Sequence, residues 1–282
     1  MTGAIQTDSR DVKLLDADFI RIAALVHEIA GIVLPENKRP LVQSRLMRRL
    51  QALGIDSFAR YADFAVQDGN DLERAQLVTA VTTNVTSFFR EKHHFDMLIK
   101  AVLPALIEKV RAGGKVRIWS AGCSSGEEPY SIAACVLSAI PDAVHLDVRI
   151  LATDIDETMV ARVRDAQYST EAAATVSAEY ARRLFQPSDV PGMVAISEAA
   201  RKLVTVRPLN LQGGWPMSGQ FDVIFCRNVV IYFDKTTQER LWPRFANLLS
   251  QGGYLMIGHS ERVTGDALSQ LSVNGTTTYK RR

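Results

Sequence analysis

The hydrophobic period changes once along the 282 residues, at Gly113-Gly114, and that change restricts the chain to two joined kinds of structure. Before it, apolar residues recur at helical spacing. Asp16 is placed to cap a helix carrying Phe19, Ile22, Ala23, Val26 and Ile29 on one side, with Gly31 suited to its stop. A second helix after Pro40 has the apolar stripe Val42, Leu46, Leu50 and Leu53, and it sets Arg45, Arg48 and Arg49 together on another face. Ser57 to Val66 and Leu72 to Val81, parted by Asp68-Gly69-Asn70, complete a helical domain over 1–84. A connecting helix over Glu91 to Ala112 occupies the linker, 85–113. After the glycines, short apolar runs alternate with helices, the pattern of βαβ units around a parallel sheet. The expected strands are Val116 to Ser120, Val148 to Thr153, Val223 to Cys226 and Tyr254 to Ile257. The expected helices are Glu127 to Ile140, Glu157 to Arg164 and Thr237 to Leu249. Leu184 to Leu209 breaks the rhythm with the runs Val194-Ala195-Ile196 and Leu203 to Val206, and reads as a small antiparallel excursion within the domain 114–282.

Composition removes several classes. No run approaches the roughly 18 apolar residues of a membrane span, and Met1 to Lys13 is polar without a signal peptide's apolar centre, so a cytoplasmic protein is expected. A net charge of +2 is too balanced for a general nucleic-acid binder. Cys123, Cys135 and Cys226 are odd in number and have neither CxxC nor Cys/His spacing, which points to reduced, structural thiols. His93 and His94 are neighbours on a helix and diverge, and His259 lies in a turn, so no metal site is expected.

The informative residues fall at strand ends. The first strand runs through Trp119-Ser120-Ala121-Gly122-Cys123-Ser124-Ser125-Gly126 directly into a helix opened by Glu127 and Glu128. Small residues such as Gly122 let backbone approach a ligand at the carboxyl edge of the sheet. Two carboxylates at the helix start would repel a pyrophosphate, and the spacing is not GxGxxG. A cationic ligand fits better, and S-adenosylmethionine, with its ammonium and sulfonium and no phosphate, has that character. Otherwise the two glutamates simply favour a helix N-terminus. The second strand ends in Ala152-Thr153-Asp154-Ile155-Asp156, where Asp154 is placed to accept from ribose hydroxyls and Asp156 to cap the next helix. The strand Phe221 to Cys226 delivers Arg227-Asn228-Val229-Val230-Ile231-Tyr232-Phe233 to the same edge. It carries no [DN]PP[YF] tetrapeptide of the kind that receives an amine.

Taken together these segments resemble the family of CheR-type chemotaxis methyltransferases, from about Phe19 to Tyr279. Thr82 to Glu91 is similar to the family's linker signature. Ser120 to Tyr130, Ala152 to Asp156, Asn210-Leu211, Phe221 to Asp234 and Gly258-His259-Ser260-Glu261 follow in the family's order. The resemblance implies a class I S-adenosylmethionine-dependent methyltransferase fold: a Rossmann-like α/β sheet domain with a small antiparallel β-subdomain, plus an N-terminal all-α domain. It implies cofactor binding by Asn84, Thr86, Arg90, Gly122, Glu127, Asp154, Asn210, Leu211, Arg227 and Asn228. Arg90 suits a bidentate pair with the cofactor carboxylate. Tyr232 is the candidate active-site hydroxyl, its alternative being a tyrosine that packs the loop.

The implied reaction is methyl esterification of glutamate side chains on chemoreceptors. A glutamate of pKa about 4.3 is already ionised at neutral pH, so the task of the enzyme is positioning rather than base catalysis. Arg45, Arg48 and Arg49 offer a positive face to glutamate-rich receptor helices, with a solvated charged face as the alternative. The turn from Gln186 to Gly192 is short and proline-interrupted, so tethering to a receptor's C-terminal peptide is not expected. A monomer that binds neither nucleic acid nor membrane is the remaining expectation. Two competing readings are a non-catalytic receptor-binding module and a methyltransferase of small molecules or RNA.

Overall fold

A computed structural model describes residues 12–67 and 69–282, so Asp68 and the polar start through Asp11 lie outside the described residues. Residues up to Thr83 and those from Asn84 onward form two compact units.

The first unit is helical. It comprises α1 (Asp16–Ala30), α2 (Arg39–Leu53), α3 (Phe58–Val66) and α4 (Asp71–Val81), with a short 3-10 turn Glu36–Lys38 before α2. Asp16 is the first helical residue rather than the cap. Leu15 holds that place without a side-chain bond, while Gly31 closes α1 in the left-handed region at φ 70. The stripes bury as their spacing requires: Phe19, Ile22 and Val26 of α1 and Val42, Leu46 and Leu50 of α2 are buried, α1 packing on α3 and α4 and α2 on α4, with Tyr61 and Leu77 also in the core.

The arginine face of α2 does not stay together. Arg49 pairs with Glu73, its Nε 2.8 Å from Oε1, and the Tyr61 hydroxyl donates to the same oxygen at 2.8 Å. Glu73 is 4% exposed, so this pair belongs to the core. Arg45 donates to the carbonyls of Ala80, at 3.4 Å, and Thr82. Arg48 is left exposed, with no ion-pair partner among the described residues. Among the described residues the face expected from helical spacing therefore reduces to one unpaired cation, because the buried Glu73 and the half-buried carbonyls of Ala80 and Thr82 claim the other two.

In the second unit the expected connecting helix runs from Lys92 to Arg111. It consists of α5 (Lys92–Met97), a π turn (Leu98–Val102) and α6 (Leu103–Arg111). Pro104 explains the π turn: it has no N–H for Lys100, and the Leu103 N–H reaches back to Leu98 instead. There follow β1 (Val116–Ala121), α7 (Glu127–Ala139), β2 (Val148–Asp154), α8 (Glu157–Asp165), β3 (Gln167–Ser169), α9 (Thr170–Ala174), α10 (Ala178–Leu184), β4 (Phe185–Pro187), β5 (Met193–Ile196), α11 (Glu198–Leu203) and β6 (Val204–Pro208). The remainder is β7 (Phe221–Cys226), α12 (Lys235–Leu248), β8 (Leu249–Ile257), β9 (Leu271–Gly275) and β10 (Thr278–Arg281).

The large sheet has the order β6-β2-β1-β7-β8-β10-β9. Its first five strands are parallel, and β10 is inserted antiparallel between β8 and β9. From β1 the chain winds outward to β2 and β6 on one side and returns through β7 and β8 on the other. The switch point, and with it the ligand crevice of such sheets, lies at the carboxyl ends of β1 and β7. All four strands expected from sequence are in this sheet. The antiparallel excursion begins earlier, at Gln167, and ends sooner, at Ile196, than expected. Its three strands are β3, β5 and β4, and Val204 to Pro208 instead pairs parallel with β2, Val206 opposite Ala152. Alternation within Leu203 to Val206 reads equally as an edge strand of either sheet, and partner choice is a tertiary property.

The buried pair in α2 and α4 gives a first test. Replacing Glu73→Gln removes the charge that Arg49 and Tyr61 address while keeping the shape, and should lower stability by about 1–3 kcal/mol in urea unfolding. An unchanged midpoint would show that Arg49 is free to act elsewhere.

Candidate active site

The loop after β1 is shaped by close backbone approach. Gly122 has φ 80, and the N–H groups of Gly122 and Cys123 donate to the Thr153 carbonyl at 2.8 and 2.9 Å. A Cβ on Gly122 would run into Val229 Cγ2, and one on Gly126, at φ 104, would stand 2.5 Å from the Tyr168 hydroxyl. Only glycine serves at either position. The resulting turn places Ser124 so that its N–H donates to Asp154 Oδ2 at 2.7 Å and its hydroxyl to the Asn84 carbonyl at 2.8 Å.

Asp154 closes β2 and is 7% exposed. Its other oxygen accepts from the Asp156 N–H at 2.9 Å, leaving one lone pair on each oxygen for a ligand hydroxyl. Burial pushes its carboxyl up to about 6, against the pull of the Asp156 and Ser124 amides. Asp156 caps α8 as expected, accepting from the Thr158 N–H at 2.9 Å, and its second oxygen takes the Asn84 amide at 2.8 Å. Asn84, Ser124, Asp154 and Asp156 thus form one polar knot. Thr86 lies half-buried in the same linker. Asn210 and Leu211 follow β6 directly, where the Leu209 N–H donates to the Asp154 carbonyl at 2.9 Å. They therefore belong to the same edge.

The arginines exchange expected weight. Arg90 is half-buried, donates to the Val85 carbonyl at 2.9 Å and has no acidic partner among the described residues. Most of its donors stay available for a carboxylate. Arg227, expected to touch the cofactor, is engaged with protein instead. Its side chain is 2% exposed and lies 3.0 Å from Glu128 and 3.4 Å from Glu91. It also donates to the Arg90 carbonyl. Glu127 remains half-buried at the start of α7, accepting from Ser125 at 2.7 Å. Glu128 is committed to Ser120, at 2.7 Å, and to Arg227. Burial pushes the Glu128 carboxyl up, with Arg227 pulling the other way.

Two carboxylates without an assigned role in the sequence reading prove central. Glu91, in the left-handed region at φ 55, accepts from the His259 N–H at 3.3 Å, its Nδ1 at 2.9 Å and the Asn228 amide at 3.3 Å. Burial raises its pKa, but the His259 hydrogen bonds and Arg227 outweigh burial and hold it at about 2. Glu261 gathers the backbone N–H groups of Asn228, Val229, Val230, Ile231 and Gly258. The presence of both in quoted motifs was a signal, but their partners are amides that no residue pattern displays. Tyr232 stands half-buried in the 3-10 turn Val230–Tyr232 that this loop leads into.

Among the described residues, Glu91, His93 and His94 bring potential metal-binding atoms within 4.8 Å of one another. The Arg227 guanidinium beside Glu91 already balances that carboxylate and opposes a second cation there. The edge as a whole is a glycine-lined turn bordered by Glu127 and Asp154, with a free guanidinium on Arg90.

The pattern of known proteins accords with this geometry. The family described as "CheR methyltransferase, SAM binding domain" matches residues 84–279, and "CheR methyltransferase, all-alpha domain" matches 17–82. The chain belongs to the CheR methyltransferase family. It is 45% identical over 258 residues to a "Probable chemotaxis protein methyltransferase" of Rhizobium etli, covering 91% of this chain and 96% of that protein. Identity to the chemotaxis protein methyltransferase of Salmonella typhimurium is 39%, covering 99% and 94%, and to that of Escherichia coli 37%, covering 94% and 91%. As a CheR-family member it is an S-adenosylmethionine-dependent methyltransferase of chemotaxis, with the class I sheet domain and all-α domain of the family.

The donor set fits that cofactor. Gly122, with no Cβ, lets the turn pack against Val229 at the sheet edge, the acidic helix start disfavours phosphate, and Asp154 retains acceptors. Two predictions follow from these assignments. Arg90→Ala should weaken S-adenosylhomocysteine binding about 10- to 100-fold in calorimetry, the loss of a charge-assisted pair, with little effect on melting temperature because its bond to Val85 is exposed. Unchanged affinity would remove Arg90 from the carboxylate's site. If ionised Asp154 accepts ribose hydroxyls, protonation near pH 6 must compete with binding. Affinity should fall about tenfold between pH 7 and pH 5 and become flat in Asp154→Asn. The stability term has the opposite sign: with its folded pKa raised, Asp154 favours the folded state below its unfolded value, and that contribution is lost as pH rises through about 6.

Proposed function

We propose that the chain esterifies glutamate carboxylates on the cytoplasmic helices of chemoreceptors. The observation that carries this reading is the character of the loop after β7. Its one strong cation, Arg227, is committed to Glu91 and Glu128, and the residues it leaves for an acceptor are Asn228 and Tyr232, neither of which removes protons readily at neutral pH. A glutamate acceptor asks for nothing more, since it arrives ionised and ester formation moves no proton.

The residues divide the work as follows. Arg90 takes the cofactor carboxylate, Glu127 lies toward its ammonium, Asp154 accepts from the ribose, and Asn210 with Leu211 borders the adenine. Asn84 and Thr86 complete the linker side. When bound, S-adenosylmethionine supplies a methyl group activated by a sulfonium. Asn228 and Tyr232 orient the acceptor carboxylate for in-line approach, and excluding water from the closed site favours a step in which opposite charges cancel. Receptor recognition falls to the exposed Arg48 on α2, with Arg45 and Arg49 shaping the helix from within. Residues 188–192 between β4 and β5 make a short turn with Pro191, which supports recognition without peptide tethering. The three thiols are all buried and unpaired, in keeping with a reducing cytoplasm. No helix among the described residues is long and apolar enough to cross a membrane.

The test is transfer of radiolabelled methyl from S-adenosylmethionine to purified receptor signalling domains, followed by brief alkali. Label released as methanol supports a glutamyl ester; label stable to base, or none on a broad receptor panel, overturns the acceptor. In the same assay Arg48→Glu should reduce transfer several-fold while leaving cofactor affinity unchanged. Transfer at the original rate would remove α2 from recognition.

A further inference from the structure

We propose that Glu261 is the positioning residue of the loop after β7, fixing residues 228–231 through their backbone and so placing Asn228 and Tyr232 for the acceptor. The inference rests on the function proposed above for that loop. The Glu261 carboxylate is 4% exposed and has no Lys, Arg or His ion-pair partner among the described residues. In place of a cation it has amides. Oε1 accepts from Val229 at 2.9 Å, Val230 at 2.7 Å and Ile231 at 3.2 Å, and Oε2 from Asn228 at 3.1 Å and Gly258 at 2.5 Å.

Consecutive N–H groups converging on one anion form a concave nest, and they compensate a buried charge that would otherwise be costly. The dependence also runs the other way. No backbone carbonyl among the described residues accepts from the amides of 228–231, so without Glu261 the buried or half-buried Asn228, Val229 and Val230 would have donors with no protein acceptor.

Two further observations show that this loop cannot drift freely around its anchor. Asn228 sits at φ 58, in the left-handed region that asparagine adopts more readily than other non-glycine residues. Its N–H is held by Glu261 and its side-chain amide by Glu91, which adds restraint from outside the residue. The loop is also confined on two sides by missing side chains. A Cβ on Gly258 would lie 2.6 Å from the Asn228 nitrogen and 2.9 Å from Glu261 Oε2, and one on Gly122 would strike Val229. The glycine turn of the cofactor edge and the anchor of the acceptor loop therefore share Val229 and Asn228 between them.

A merely structural carboxylate and a positioning one differ in what their loss does to folded enzyme. Glu261→Gln keeps the shape but turns an NH2 donor toward converging N–H groups. In the full chain, amide exchange at 228–231 should accelerate at least about tenfold while Ile118 to Ser120 of β1 keeps its protection. With cofactor saturating, kcat for receptor methylation should fall about 100-fold, the scale of a displaced reacting group. Unchanged exchange, or a kcat within about threefold of wild type whatever the exchange, overturns the proposal. If Glu261→Gln does not fold, wild-type exchange decides: the four loop amides must be protected like strand amides, and free exchange overturns the proposal. Failure of the wild-type enzyme to label any receptor would instead refute the acceptor assignment, and the exchange result would stand apart from it.

Discussion

One guanidinium ties the active edge together. Arg227 leaves the end of β7 and meets Glu128 of α7 at 3.0 Å, Glu91 of the linker at 3.4 Å and the carbonyl of Arg90. It also lies over the Phe95 ring at 5.6 Å. Three segments distant in sequence are thereby brought into one register around a single buried cation. Two carboxylates share one positive charge, and their pKa values part accordingly. Glu91, with His259 and Asn228 as additional donors, is held at about 2, whereas burial pushes Glu128 up. Burying three charged groups is seldom a net source of stability compared with apolar packing, but removing one member leaves the others uncompensated. The network is thus better understood as what selects this arrangement of the linker against the sheet edge than as what holds the fold.

That arrangement explains why Arg90 stays available. Its carbonyl is fixed by Arg227, and Phe88 and Phe89 just before it are held by aromatic neighbours, Phe88 against Tyr168 at 5.0 Å and Phe89 against Tyr180 at 4.7 Å. The backbone is anchored while the guanidinium keeps most of its donors free. A side chain that is positioned from its own main chain can bind a carboxylate without first breaking an ion pair, which lowers the reorganisation needed on binding.

How much of this was legible depended on whether a residue's partner lies in its own motif. Strands β1, β2, β7 and β8 are readable because the buried stretches of central parallel strands are largely apolar runs flanked by turn residues. Gly122 and Asp154 were readable because strand termini in such sheets face the ligand crevice whatever the loop sequence. Leu203 to Val206 reads as part of the antiparallel excursion, yet Val204 to Pro208 joins the large sheet, because short alternation does not state which edge it pairs with. Spacing alone presents Arg227, Arg49 and Arg45 as surface or ligand-facing cations. All three instead satisfy acceptors supplied from residues far along the chain, Glu128, Glu73 and Thr82. Charge spacing along one helix or strand cannot reveal such a partner.

The carboxylates at this edge have different fates, and the difference is set by donors rather than by burial alone. Glu91, Glu128, Asp154 and Glu261 are all largely buried, yet of the four Asp154 is the one that faces neither a cation nor a nest of amides. An acidic, partly dehydrated edge would repel phosphates and attract a ligand bearing positive charge, which is the electrostatic requirement of a sulfonium cofactor. The same edge would also repel an anionic acceptor. Because Arg227 and the amides around Glu261 already balance the other carboxylates locally, the approaching glutamate meets mainly the cofactor's charge and the neutral groups of Asn228 and Tyr232. Internal compensation of the buried acids is therefore the condition under which one crevice can accept a cation and a carboxylate together.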